Sequence, residues 1–331
     1  MKKTKNVLIH LKDEKMLKDY IYKIENNIKK HNEVYYLIKK FNSKNWGVYL
    51  TTIKNFKKGK WKNVYFVNNQ TMNEMDIDAI NEKIDAMIIR NIGSIEGNFK
   101  MINEYLDFLI SKYKGKVIND PILMKLSMKK NYLTKININE LEQYGMSTIP
   151  TKIYDNNITY KKIKREYKDL DNYLIKPLTG ELSNSLKCVK NINNIFLKYK
   201  KRKVGGWIIQ PIKNEIWNGE YQFVFINGKL VNSQKKDYIK DSVLPNQKTR
   251  TISKYEPTKK EVEIISNVVN YFTKFYNTKI DVCRVDFMKD DKNNPILIEF
   301  ETVNPSFFIE CLKENNEKID YIMDNVIKCC E

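Results

Sequence analysis

The stretch that decides the fold is residues 281–308, which read DVCRVDFMKDDKNNPILIEFETVNPSFF. Two apolar runs, residues 282–288 and 295–300, flank an Asp-Asp-Lys-Asn-Asn sequence of the kind that reverses a hairpin. We therefore predict two adjacent antiparallel strands, with Asp286 of the first strand beside the second strand.

Three carboxylates are expected to meet at one end of this hairpin. Side chains alternate along a strand, so Glu299 and Glu301 point to the same face, next to Asp286. Such a cluster repels itself strongly unless a cation lies between its members, and oxygen ligands in this number suit a Mg²⁺ ion that carries nucleotide phosphates. We predict a metal site at Asp286, Glu299 and Glu301. A solvated acidic hairpin is the alternative, because surface strands often carry glutamate.

The hairpin resembles the last motif of the ATP-grasp ligases. The matching stretches are Arg284-Val285-Asp286-Phe287, Leu297-Ile298-Glu299-Phe300-Glu301 and Asn304-Pro305-Ser306. In that family an Asp and a Glu, with a further Glu or Asn two residues on, hold Mg²⁺ ions. The Glu-x-Glu ending of this chain is similar to a glutathione-synthetase-like branch that includes a D-cycloserine-forming enzyme. The resemblance also implies that Arg284 stabilises the charge of an acyl phosphate and of a tetrahedral intermediate.

Composition excludes several classes of protein. The chain has 331 residues, enough for two or three modules with a sizeable core. No window reaches the roughly 18 uninterrupted apolar residues of a membrane helix, and the first apolar run is too short for a signal peptide, so we expect a cytoplasmic protein. The five cysteines lack Cys-x-x-Cys spacing and the chain has two histidines, which argues against a zinc site, a disulfide framework or a catalytic Ser-His-Asp set.

The formal net charge of +19 would ordinarily suggest a nucleic-acid partner. The lysines are scattered through the whole chain, however, and do not form one basic stripe with interleaved aromatic residues. This scattered distribution of lysines does not favour nucleic acid as a partner. We expect part of the positive charge to surround a triphosphate and an anionic substrate.

The N-terminal third alternates strand and helix signals, which predicts an open α/β sheet. The strand candidates are residues 7–11, 34–38, 46–50, 64–67 and 86–89, and the helix candidates are residues 14–29 and 99–109. Ligands bind at the carboxyl ends of strands in such sheets. Arg90 directly follows the strand at 86–89, so its guanidinium is a candidate to bind an anionic group of the substrate. An interdomain salt bridge is the alternative.

Three lysines are candidate phosphate ligands. Lys176 ends an apolar strand and precedes a small polar loop, residues 179–185, whose backbone N–H groups suit phosphate oxygens. By resemblance, Lys130 is the first nucleotide lysine and Lys236 is a further lysine on the phosphate side. Lys129 and Lys235 are the respective alternatives, one residue away.

The residues that would contact the adenine and ribose of the nucleotide are assigned by resemblance as well. In ATP-grasp proteins the exit of the strand before the hinge, here residues 207–212, hydrogen-bonds the adenine edge through its backbone, and Gln210, Pro211 and Ile212 fall at that position. The Glu of a following Gly-Glu pair, here Glu220, accepts from the ribose hydroxyls. The Asn-Gly pair at 227–228 predicts a hairpin, and Thr258-Lys259-Lys260-Glu261 predicts a capping box at the start of a helix.

The resemblance covers about residues 85–310 and implies an ATP-grasp fold of the mixed α/β class. Its parts are an N-terminal open α/β domain at 1–121, a lid domain at 122–206 and a C-terminal antiparallel-sheet domain with the Mg²⁺ site at 207–331. The implied activity is that of an ATP- and Mg²⁺-dependent ligase. It would activate a small carboxylate as an acyl phosphate for attack by an amine or another nucleophile. A homodimer is compatible with this activity. Two alternatives stay open: a ligase acting on peptides or proteins, and a non-catalytic nucleotide-binding module, which the sparse glycine of the 179–185 loop favours.

Overall fold

The computed structural model describes residues 4–26, 28, 32–90, 92, 95–179, 187–188, 205–239, 250–312 and 315–331. The described strands form three sheets flanked by helices, which confirms the mixed α/β class. Within these ranges, no helix is both long and apolar enough to cross a membrane.

The first sheet is built by the N-terminal part of the chain. Its strands are β1 (Asn6–Leu11), β2 (Gly47–Thr52), β3 (Phe56–Lys57), β4 (Lys60–Phe66), β5 (Thr71–Asp76), β6 (Ala86–Ile89) and β7 (Lys116–Ile118), in the order β3-β4-β2-β1-β6-β7 with β5 on β4. Strands β2, β1, β6 and β7 are parallel, so their carboxyl ends share one edge. Arg90 follows β6 and Asn119 follows β7 at that edge.

The helices of this part are α1 (Glu14–Glu25), α2 (Glu33–Ser43), α3 (Ile77–Lys83), α4 (Ile95–Lys112) and α5 (Pro121–Ser127). The strand predicted at residues 34–38 is wrong, because this run lies inside α2. The side chain of Asn32 caps the helix by accepting from the backbone N–H of Tyr35. A run of five apolar residues fits a strand and a helix equally well. The cap at Asn32 and the buried Phe41 beyond the run are features of a helix.

The second sheet is antiparallel. Before it come α6 (Ile138–Gln143) and a short strand, β8 (Ser147–Thr148); the sheet contains β9 (Lys152–Tyr154), β10 (Tyr173–Pro177), β11 (Lys187–Cys188) and β12 (Trp207–Pro211), with helix α7 (Tyr160–Glu166) between β9 and β10. Its order is β11-β10-β12-β9. Strand β12 pairs with both β10 and β9, so this sheet runs across residue 206, where the sequence placed a domain boundary.

The third sheet carries both predicted hairpins. Its further strands are β13 (Glu220–Ile226), β14 (Lys229–Tyr238), β15 (Arg250–Lys254), β16 (Val282–Lys289) and β17 (Pro295–Glu301), in the order β15-β14-β13-β16-β17-β8. Asn227 and Gly228 turn the first hairpin with φ of 50° and 71°, as an Asn-Gly turn requires. Helix α8 (Lys259–Tyr276) begins with the predicted capping box, and α9 (Asn316–Cys330) follows the sheet.

Packing against α8 decides which face of the third sheet is polar. Phe300 is buried and its ring stacks on that of Phe272, with centroids 4.0 Å apart. Phe287 and Val285 of β16 belong to the same apolar cluster. Because strand side chains alternate, the residues on either side of Phe300 face away from the helix. This leaves the opposite face of the sheet for the carboxylates.

Candidate functional site

Polar side chains form rows across the third sheet. The central row crosses four strands through Gln234, Gln222, Asp286 and Glu299, each paired in register with the next. In the adjacent row, Arg284 pairs with Glu301. Antiparallel register therefore brings together residues that are up to 77 positions apart in the sequence.

Asp286 is held by a guanidinium. Arg284 donates from Nε to Oδ1 at 2.6 Å and from Nη2 to Oδ2 at 2.8 Å, and Gln222 donates to Oδ2 at 2.8 Å. Burial acts to raise the pKa of Asp286, but the charge and hydrogen bonds of Arg284 outweigh it and lower that pKa below its usual value. The carboxylate is therefore ionised, and both of its oxygens accept hydrogen bonds.

Glu299 and Glu301 form a crowded pair. Lys130 Nζ lies 2.8 Å from Glu299 Oε1, while Glu301 Oε1 accepts from the backbone N–H groups of Val303 at 2.7 Å and Asn304 at 3.0 Å. Burial raises the pKa of Glu301, and the negative charge of Glu299 raises it further. A cation between the two carboxylates would relieve this repulsion.

Lys176 lies among charges of both signs. Burial and the neighbouring charge of Lys130 lower the pKa of Lys176 to about 8, and Glu299 and Glu220 partly oppose this shift. Because these charges act on the same ammonium group, the structure brings all four residues into one region. A mostly buried lysine with a lowered pKa is a recurring feature of functional sites.

Lys236 pairs with Glu220. Its Nζ lies 2.8 Å from Glu220 Oε1, and Tyr238 donates to Oε2 of the same carboxylate at 2.5 Å. Of the alternative lysines, Lys129 lies over the ring of Phe99 at 5.2 Å. Lys235 pairs instead with Asp237 at 2.7 Å. Thus Lys130 and Lys236 are the members of each pair that reach the carboxylates described here.

Two buried glutamines were missed by the sequence analysis. Gln222 Nε2 donates at 2.8 Å both to Glu220 Oε1 and to Asp286 Oδ2, and its own Oε1 accepts from Gln234 Nε2 at 2.6 Å. The amide thereby links Glu220, which is predicted to bind the ribose, to Asp286, which is predicted to bind the metal. The signal was present in the sequence, because alternation from Glu220 puts Gln222 on the same face.

The predicted adenine contacts are partly engaged within the protein. Gln210 Nε2 donates to Thr151 Oγ1 at 2.8 Å, and the backbone N–H of Ile212 donates to the carbonyl of Asn172 at 2.8 Å. Pro211 has no N–H to offer. The adenine assignment stays a prediction. The residues of the predicted phosphate loop after Thr179 lie outside the described residues.

Arg90 contacts both the N-terminal and the C-terminal parts of the chain. It forms an ion pair with Glu33, donates from Nη2 to the carbonyl of Pro305 at 2.7 Å and lies over the ring of Phe307 at 4.3 Å. Glu33 belongs to the N-terminal part, so this ion pair does not cross to the C-terminal part; the contacts that do are the hydrogen bond to Pro305 and the contact with Phe307. Arg90 also lines a cavity of about 10 Å³, which is too small for a substrate group. Its role as a substrate ligand stays a prediction.

The donor set has the chemistry that Mg²⁺ prefers, because it offers carboxylate oxygens from the buried Asp286 and the half-buried Glu299 and Glu301. Among the residues that the structure describes, no group of three Asp, Glu, His or Cys side chains is already arranged around one metal position. At Asp286, Arg284 donates to both carboxylate oxygens, so an ion bound there would replace one of these hydrogen bonds. The residue types fit Mg²⁺.

No protein-family model matches the chain, and no curated protein matches it in sequence. Solved structures do match over nearly its whole length. D-cycloserine synthetase DcsG superposes with a TM-score of 0.67 at 11% identity, covering 98% of this chain and 99% of that one. The ATP-grasp ligase PsnB, solved with a variant of its minimal precursor, Mg and ADP, gives a TM-score of 0.58 at 11% identity and 99% coverage of both chains. The chain has the ATP-grasp fold.

A third structure of similar fold is the VanG D-Ala:D-Ser ligase from Enterococcus faecalis, with a TM-score of 0.65, 11% identity and coverage of 99% of this chain and 100% of that one. At these identities the likeness concerns the fold alone. The ATP-grasp fold that the hairpin motif implied is therefore confirmed, and the roles of the individual site residues are argued from their geometry.

Proposed function

We propose that this protein is an ATP- and Mg²⁺-dependent ligase that phosphorylates a carboxylate and then transfers the acyl group to an amine or another nucleophile. The products would be an amide or related bond, ADP and phosphate. One observation carries the proposal. On an ATP-grasp fold, charged side chains of both signs meet at one face of the third sheet: Asp286, Glu299, Glu301, Arg284, Lys130 and Lys176.

The chemistry requires positive charge on several sides of the transferring phosphoryl group. Lys130, Lys176 and Lys236 would hold phosphate oxygens. When bound by Asp286, Glu299 and Glu301, Mg²⁺ would neutralise charge on the β- and γ-phosphates. Arg284 would stabilise the acyl phosphate and the tetrahedral intermediate that follows it.

Ion pairing within the site supports an exchange of partners on ligand binding. Lys130 is paired with Glu299 and Lys236 with Glu220, so each lysine already faces a carboxylate. A triphosphate competes for the lysines, while Mg²⁺ competes for Glu299. ATP and Mg²⁺ arriving together would therefore leave neither Lys130 nor Glu299 without a counter-charge, whereas either one alone would.

An ADP-release assay with pooled amino acids tests the proposal. We expect release above background that requires Mg²⁺ and at least one pool. Nucleotide binding without release from any amino-acid or peptide pool would instead indicate a non-catalytic nucleotide-binding module.

A second candidate, a ligase acting on a peptide or protein, is favoured by the likeness to PsnB, which was solved with a precursor variant. The same assay separates the two candidates when amino-acid pools and peptide pools are run side by side. Release that requires peptides would support the second candidate.

Lys176→Met should weaken ATP binding by roughly 10-fold or more and leave adenosine binding nearly unchanged, because the ammonium group is assigned to phosphate oxygens. Calorimetric titration of both ligands measures the difference. Equal losses for the two ligands would remove Lys176 from the phosphate site.

Glu220→Ala, by contrast, should weaken ATP and adenosine alike, because Glu220 is assigned to the ribose. The same calorimetric titrations apply. A loss confined to ATP would put Glu220 at the phosphates, beside its partner Lys236.

The pH dependence of ATP binding gives an independent test of Lys176. Its pKa of about 8 means that the ammonium form predominates at pH 7 and is lost as pH rises through 8. Phosphate favours the charged form, so ATP affinity should fall by up to roughly tenfold between pH 7 and pH 9, with proton uptake on binding near pH 8. Calorimetry in buffers of different ionisation enthalpy measures both effects. The Lys176→Met variant should lose this pH dependence.

A further inference from the structure

The segment of residues 302–308, here called the 302–308 loop, connects the candidate site to the first sheet. It starts directly after Glu301, whose Oε1 accepts from the backbone N–H groups of Val303 and Asn304. It ends at Phe308, whose ring lies 5.6 Å from the guanidinium carbon of Arg284. The path of this loop therefore bears on the orientation of both Glu301 and Arg284.

Arg90 and Glu33 hold the middle of the loop from the side of the first sheet. Arg90 donates to the carbonyl of Pro305 at 2.7 Å and covers the ring of Phe307, which is fully buried. Glu33 pairs with Arg90, and its Oε2 accepts from the backbone N–H of Phe307 at 3.4 Å. The side chains of Arg90 and Glu33 are only 8% and 14% exposed.

Two asparagines complete the attachment. Asn232 of β14 donates to the carbonyl of Phe307 at 2.8 Å, and Asn119 donates to the carbonyl of Thr302 at 2.6 Å. Arg90 and Asn119 follow β6 and β7, so the carboxyl edge of these two strands binds the loop. In open α/β sheets that edge ordinarily receives ligands.

Building on the function proposed above, we propose that Glu33 and Arg90 are positioning residues: their ion pair fixes the 302–308 loop and thereby the orientation of Glu301 and Arg284. A buried ion pair adds little net stability compared with apolar side chains of similar size, but it restricts geometry. Here both partners also bond the loop backbone, so the pair specifies where the loop runs. The pair links the first sheet to two residues of the metal and phosphate site.

Four variants test this role. Glu33→Gln and Arg90→Met each break the pair, and the double variant Glu33→Gln/Arg90→Met removes both charges, which avoids leaving one charge buried alone. Lys40→Met is the matched control, because Lys40 lies on the same helix α2 but pairs with Asp324 of α9 at 2.9 Å.

Hydrogen exchange at the backbone amides of Val303 and Asn304 is the first readout. These amides bond Glu301 rather than Glu33 or Arg90, so they report the orientation of Glu301. We expect exchange to be faster by about tenfold or more in both single variants and in the double variant, and unchanged in Lys40→Met. Unchanged exchange in a folded pair variant, or equal acceleration in Lys40→Met, would overturn the proposal.

The second readout is the tightening of ADP binding by Mg²⁺, measured by calorimetry. In the pair variants we expect most of this tightening to be lost while binding of ADP without Mg²⁺ changes less than about twofold. Tightening retained in full would contradict the proposal. If the wild-type protein itself shows no Mg²⁺-dependent ADP binding, the proposed function fails, and the exchange measurement still decides the role of the pair.

Discussion

Glu299→Gln is expected to reduce turnover by roughly 10³-fold or more while the protein stays folded. Glutamine keeps the size of the side chain but loses the negative charge that pairs with Lys130 and that is assigned to Mg²⁺. The charge of Glu299 also supports the protonated form of Lys176, so the substitution should lower the pKa of Lys176 further. One change thus affects the metal and the phosphate ligands together.

The measurement combines ADP release with thermal unfolding. Asp324→Asn is a suitable control, because it neutralises a carboxylate of another ion pair, with Lys40, outside the site. It should leave ADP release unchanged. ATP consumption near the wild-type rate in the Glu299 variant would show that the metal assignment is wrong.

Asp286→Asn should reduce both activity and stability. The variant leaves Arg284, whose side chain is only 14% exposed, without its ionised partner, and breaking a largely buried pair in this way typically costs about 3–5 kcal/mol. Turnover should fall by roughly 10³-fold, because a proposed metal ligand and the partner that orients Arg284 are lost together. Thermal unfolding and ADP release measure the two effects.

The stability effect has a predicted pH dependence. Because the pKa of Asp286 is lowered in the folded protein, its contribution to stability is present above the unfolded value of about 4 and is lost as pH falls toward the lowered pKa. The difference in stability between wild type and variant should therefore shrink below about pH 4.

Asp281→Asn is the control for the loss of turnover, since Asp281 is also buried but pairs with Lys279. Its kinetics should match those of the wild type.

Local patterns predicted much of the fold and of the site. The Asn227-Gly228 turn and the Thr258 capping box each depend on a few neighbouring residues, and both occur as predicted. Strand alternation likewise predicted that Glu299 and Glu301 share a face. The run at residues 34–38 failed because five apolar residues fit a strand and a helix equally well.

Contacts between distant parts of the chain were beyond the sequence analysis. Glu33 was not singled out, because its bond to Phe307 spans 274 residues and no periodicity connects them. The partner of Arg90 was missed for the same reason. Gln222 is a different case, because strand alternation from Glu220 already places it on the polar face. It was missed because its neutral amide gives no charge signal beside the charged residues.

The most direct test of the central claim, that a carboxylate is activated as an acyl phosphate, uses hydroxylamine to replace the unknown nucleophile. The protein is incubated with ATP, Mg²⁺, hydroxylamine and pools of amino acids and peptides, and hydroxamates and nucleotides are quantified by mass spectrometry. We predict hydroxamate and ADP in equal amounts, both lost in Glu299→Gln. Hydroxamate accompanied by AMP, or nucleotide bound without any hydroxamate across the pools, would contradict the account.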